Sequence, residues 1–141
     1  MRLVVLDTNV IVSAGISSIS APAKIIDDWI LDGKVHLVTS PQVIAEYREV
    51  IQRAKLLRYE FPPLWLEDLI GESMQLPDPY SWPFTCPDPK DTPFLALAHA
   101  SGAWLVTGNL KHFPESVRNG VNVLSPADYL AHLVGNEGAS K

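Results

Sequence analysis

The chain alternates short, unbroken apolar runs with stretches in which apolar residues recur every three or four positions. Arg2 to Leu6 (RLVVL) is a continuous β-branched run that ends on the polar cluster Asp7-Thr8-Asn9, the pattern of a strand buried on both faces of a parallel sheet. After Ser20, Ala21-Pro22-Ala23 starts a helix with a cap and an early proline, and Ile25, Ile26, Trp29 and Ile30 keep helical spacing until Gly33 stops it. Val35 to Val38 reads as a second strand. Thr39-Ser40-Pro41 opens another helix, with Val43, Ile44, Tyr47, Val50 and Ile51 as its apolar stripe and Glu46 in its middle. A further helix begins near Pro62-Pro63 and carries Leu64, Trp65, Leu66, Leu69 and Ile70 up to Gly71.

The pattern then breaks. Six of the 12 prolines fall between Pro77 and Pro93, too many for a regular element, so this stretch reads as a long ordered loop delivering the chain to Asp88 and Asp91. Asp91 to Ala100 is a helix with a small-residue face, ended by Gly102; Ala103 to Val106 is a third strand, closed by the polar turn Thr107-Gly108-Asn109. Asn122 to Leu124 reads as a fourth, shorter strand, and Ser125-Pro126 caps a last helix, Ala127 to Val134. Strands alternating with helices predict an α/β fold, a mainly parallel sheet covered on both faces. We expect one domain over residues 1–134 and a flexible tail over 135–141.

Composition narrows the function. A chain of 141 residues, 47% hydrophobic and 19% charged, suits one domain with a real core. The net charge of -5 gives no overall positive field, so any nucleic-acid contact is local. Cys86, the single cysteine, excludes a disulfide framework and a Cys-rich zinc site and suits a reducing cytoplasm. No apolar run approaches the roughly 20 residues of a membrane span, so a cytoplasmic, soluble protein is expected.

In an open parallel sheet, ligands bind beyond the carboxyl ends of the strands, where connections leave in opposite directions. Asp7-Thr8-Asn9 and Thr107-Gly108-Asn109 both belong to that edge, and Glu46 and Asp91, each on a helix that follows a strand or a strand-bound loop, can face it. Three carboxylates brought together repel one another unless a cation sits among them, and Mg²⁺ or Mn²⁺ is the simplest such cation. Ions of this kind serve phosphoryl chemistry, which makes hydrolysis of a nucleic-acid backbone the natural candidate.

Each residue also has a plain structural role open to it. Asp7 and Asp91 can cap the turns that follow them, and a mid-helix glutamate is usually solvated. Glu46 shares a helical face with Val43 and Val50, so it points inward more than Glu49. Asp88, between Pro87 and Pro89, reads first as a turn residue. His112 is a candidate phosphate contact, whereas His99 reads as a helix residue and Cys86 as a buried one. Arg48, with Arg53, Lys55 and Arg58, forms the densest positive stretch, either a solvated helix end or a surface for RNA backbone or a protein partner. Among Trp29, Trp65, Trp82 and Trp104, at least Trp29 and Trp104 read as core or dimer packing rather than base stacking.

Taken in order, Val5-Leu6-Asp7-Thr8-Asn9-Val10, Ser40-Pro41 with Glu46 on the next helix, Asp88-Pro89-Lys90-Asp91 leading into Phe94-Leu95-Ala96-Leu97-Ala98, and Val106-Thr107-Gly108-Asn109 resemble the PIN domain, most closely its prokaryotic toxin branch. The resemblance spans about Arg2 to Leu133. It implies a three-layer α/β/α sandwich and a Mg²⁺- or Mn²⁺-dependent endoribonuclease of the VapC type that dimerises and is inhibited by a cognate antitoxin. Carried over by position, Asp7, Glu46 and Asp91 match the family's acidic residues, as metal ligands and catalytic groups. Asp88 is a weaker match. Thr8 and Asn9 match positions that orient the first carboxylate or a metal-bound water, and Thr107 matches a hydroxyl beside the site. Asn109 departs from the pattern: many members are acidic there, and an amide adds no charge, so at most one firmly held ion is expected.

Rival enzyme readings lack their residues. A phosphatase with an aspartyl nucleophile wants a second Asp two positions after the first, where this chain has Asn9. A phosphorylated receiver domain wants adjacent acids and a late lysine, and neither phosphate-binding glycine motif is present. The remaining alternative is a PIN-like module that binds RNA or a protein partner without cutting.

Overall fold

The computed structural model describes residues 2–57, 59–62, 64–79 and 86–139. Five parallel strands form the centre: β1 (Leu3–Leu6), β2 (His36–Thr39), β3 (Met74–Gln75), β4 (Trp104–Val106) and β5 (Val123–Leu124), in the order β3-β2-β1-β4-β5. The first strand is therefore the middle one. Val4, Val5 and Leu6 are fully buried, which is why that run is apolar throughout rather than alternating. β1 pairs Val4 with Leu37 on one side and Leu6 with Val106 on the other.

The helices are α1 (Thr8–Ile16), α2 (Ala21–Lys24), α3 (Pro41–Leu56), α4 (Trp65–Glu72), α5 (Thr92–Ser101), α6 (Glu115–Arg118) and α7 (Pro126–Ala139). They cover both faces of the sheet, the expected three-layer α/β/α sandwich. α5 lies across β1, β2 and β4, and its run Phe94 to Ala98 is buried. α3 packs on both α1 and α5. That arrangement places Glu46 between the helix that follows Asp7 and the helix that follows Asp91.

Several elements differ from the sequence reading. α1 was not expected: Val10, Ile11 and Val12 are β-branched and Gly15 is a poor helix former. It forms because Asp7 caps it and because Val10, Ile11 and Ala14 bury against the core. The helix expected from Ala21 widens after Lys24 into a π-helical turn, Ile25–Ile30, which turns Ile25, Ile26, Trp29 and Ile30 inward. The two-residue β3 and the one-turn α6 are too short to leave a periodic signal. α7 continues past Val134 to Ala139, since an isolated Gly135 weakens a helix without ending it. Trp29 is buried as expected, and Trp104 is half-buried; Trp82, Arg58 and Pro63 lie outside the described residues. Among the described residues, no single helix is long and apolar enough to cross a membrane, although α1 together with 21–30 forms a bent pair that passes by length and composition.

Candidate active site

From β1 the chain winds outward to β2 and β3, and from β4 it winds the other way to β5. The crevice this leaves beyond the carboxyl ends of β1 and β4 is where the polar side chains meet.

Asp7 is the first residue past β1. Its N–H still donates to the Val106 carbonyl, at 2.9 Å, so the main chain is held in the sheet while the side chain leaves it. Oδ1 accepts the Thr8 N–H at 2.8 Å and caps α1. Oδ2 accepts the Thr107 hydroxyl at 2.7 Å and the Asn9 amide at 3.3 Å. The Thr107 hydroxyl is itself aimed, because its oxygen accepts the Asn109 N–H at 3.1 Å and its proton is left for Asp7. Asn9 is held from both ends, its amide oxygen accepting the Gly108 N–H at 2.9 Å. A side chain at 108 would bring a Cβ to 3.2 Å from that oxygen, so the turn after β4 is tight enough to favour glycine.

Asp91 arrives from the other direction, on a 3-10 turn (Pro89–Asp91) that leads into α5. Its side chain makes no capping bond to α5 and is only 13% exposed. Its buried Oδ2 is met by His112 Nδ1 at 2.9 Å. Thr8 Oγ1 is buried and unpartnered. Asp7, Thr8, Asn9, Glu46, Asp91 and His112 line one cavity of about 410 Å³, whose remaining wall is Val12, Ser13, Val50 and Phe94.

The electrostatics are those of carboxylates crowded together. Burial pushes the Asp7 carboxyl above its ordinary range, against the pull of Thr107, Thr8, His112 and Asn9. Asp91 is pushed up to about 6, first by burial and then by the Asp7 charge; His112 draws it down and Asp88 adds to the rise. Each acid is thus poised to be relieved by a positive charge placed between them.

The cavity does not take in every candidate. Asp88 is exposed, and its carboxylate accepts the Lys90 N–H at 3.0 Å, so it caps the turn before Asp91 from outside. Asn109 contributes its main-chain N–H rather than its amide. Arg48 is exposed and engaged by Glu67 of α4 through two bonds, at 3.1 and 2.6 Å, away from the acids. Glu46 is half-buried on the cavity wall, while Glu49 is exposed and 3.8 Å from Arg53. Among the described residues, no three His, Cys, Asp or Glu side chains stand close enough to hold a metal ion as they lie. Cys86 is buried, and its thiol is pushed up by that burial.

Tyr47 was read as one more member of an apolar stripe. It is fully buried, but its hydroxyl donates to the Leu6 carbonyl, one residue before Asp7. A tyrosine among aliphatic residues, directly after a candidate acidic ligand, was the available signal.

A parallel α/β sandwich with carboxylates gathered at its switch point defines the class, and the comparisons define the family. A PIN-domain profile matches residues 3–111, so the chain belongs to the PIN domain family, whose members are typically nucleases. No curated protein matches it. Similar solved structures include FitAB bound to an IR36 DNA fragment, at 20% identity and a TM-score of 0.55, covering 87% of this chain and 94% of that one. PAE2754 from Pyrobaculum aerophilum is similar at 16% identity and a TM-score of 0.57, over 96% and 90% of the two chains. FitAcB from Neisseria gonorrhoeae is similar at 20% identity and a TM-score of 0.56, over 88% and 98%. At these identities the structures speak for the fold.

Proposed function

We propose that this chain is an endoribonuclease dependent on Mg²⁺ or Mn²⁺, the toxin of a toxin–antitoxin pair, acting as a homodimer. The observation that carries the reading is that Asp7 and Asp91 line one cavity, both largely buried and both raised, with His112 the cationic side chain that meets Asp91. A divalent cation removes both costs.

The donor set fits the group. It is all oxygen, the preference of hard cations, and Mg²⁺ commonly takes only one or two carboxylates directly and keeps several waters. Asp7 and Asp91 would hold the ion, together with Glu46 from the cavity wall. The ion, when bound, would activate water and neutralise charge building on a phosphodiester. The chain's own residues prepare the place. Thr107 and Asn9 fix the rotamer of Asp7 from two sides, and the Thr8 N–H fixes its other oxygen. His112 offsets the Asp91 charge in the metal-free protein. Val12 and Val50 offer an apolar wall to a sugar or base beside the scissile phosphate. The family resemblance supports the RNA substrate, the dimer and the antitoxin.

The test is cleavage of a mixed pool of structured and single-stranded RNA by purified protein with Mg²⁺, with Mn²⁺ and with EDTA. Cutting that requires metal and is lost in Asp7→Asn and Asp91→Asn establishes the nuclease. Protein that neither cuts nor binds Mn²⁺ is instead a binding module.

A further inference from the structure

We infer that Tyr47 is the positioning residue that holds α3 in register with β1, and thereby sets where the Glu46 carboxylate stands relative to Asp7. The inference rests on the metal-nuclease reading of this cavity.

Tyr47 touches the supports of all three acids. It directly follows Glu46 on α3, its hydroxyl donates to the carbonyl of Leu6, which directly precedes Asp7, and its ring tilts against Phe94 with centroids 6.2 Å apart, three residues after Asp91. The ring alone would fill the core as phenylalanine does. Apolar packing tolerates small rotations and slides of a helix, whereas a hydrogen bond to one named carbonyl does not. Rotating α3 by one residue swings each side chain by about 100°, which would carry Glu46 off the cavity wall, to the exposed direction of Ala45 one way and into the buried direction of Tyr47 the other. A buried hydroxyl also needs its partner, so the bond resists being given up.

The measurement is Mn²⁺ affinity by calorimetry on the wild type, Tyr47→Phe, Glu46→Gln and the double variant. Tyr47→Phe is expected to bind about 10- to 100-fold more weakly, the range for losing a group that orients a ligand. The double variant is expected to match Glu46→Gln alone, because a residue acting through Glu46 has nothing left to position once that carboxylate is gone. Leu133→Ala, a fully buried core truncation on α7, controls for lost stability: it should lower the melting temperature and leave Mn²⁺ affinity as in the wild type. Tyr47→Phe binding within about twofold of the wild type, or its effect adding fully to that of Glu46→Gln, overturns the inference and leaves the nuclease reading standing. A wild type that binds no Mn²⁺ overturns both.

Discussion

Strands β1 and β4 run side by side, and each of their two ends opens onto a cavity. At the carboxyl ends lies the acidic site. At the amino ends, Arg2, Leu3, Gly102, Trp104, Tyr129 and His132 line a smaller cavity of about 220 Å³, where Trp104 and His132 rings pack 4.6 Å apart and His132 meets Asn136. The same two strands thus end in aromatic packing on one side and in crowded carboxylates on the other. Neighbouring aromatic rings stabilise a fold, whereas like charges held near one another weaken it until something binds.

The largest expected effect is at the centre of the acidic end. On the proposed reading, Asp7→Asn removes a charged ligand but keeps a good helix cap, so the protein should stay folded while metal-dependent cleavage falls by on the order of 100-fold or more, read in a single-turnover RNA assay. Thr107→Val comes next. It strips Asp7 Oδ2 of its shortest hydrogen bond, and cleavage should drop by about 10-fold, with the Asp7 carboxyl rising further as an observable in carboxylate NMR.

Third is a stability effect of opposite sign. Asp91 titrates near 6 in the metal-free fold against 3.8 when unperturbed, so the native state binds the proton more tightly than the unfolded chain does. Stability in EDTA should therefore fall as pH rises from about 4 to about 6 on this group's account. Asp91→Asn should then be more stable than wild type at pH 7.5 by on the order of 1 kcal/mol, after allowing for solvent screening, in denaturant melts. Adding Mn²⁺ should raise the wild type and leave Asp91→Asn unmoved. At the amino end, Tyr129→Phe is expected to change stability by no more than about 0.5 kcal/mol and to leave cleavage intact; a loss of cleavage there would erase the contrast between the two ends.

Much of this was legible in the sequence. The buried strand at Leu3–Leu6, the stripes of α3 and α5, and the polar breaks after Leu6 and Val106 follow from periodicity and turn chemistry, and they place Asp7, Thr107 and Asp91 on one edge. α1 was hidden because its β-branched residues speak for a strand; a cap and a burial surface outweigh them, and burial is not visible locally. Arg48 drew attention by charge, but its partner, Glu67, lies on another helix, and such pairings are set by tertiary packing. Tyr47 was hidden for a third reason: its ring satisfied the apolar pattern so well that the hydroxyl passed unnoticed.

The hydrogen bond from Thr107 to Asp7 spans 100 residues of sequence. β1 is the central strand, yet it stays without its β4 neighbour until Trp104–Val106 has been made. Long-range pairings of this kind form late, and domains fold as the chain is synthesised from the N-terminus. A product cut short before β4 carries Asp7 and Glu46 but neither Thr107 nor the strand that leads to it, so Asp7 lacks that support. The frame around Asp7 is therefore complete only once β4 has paired with β1.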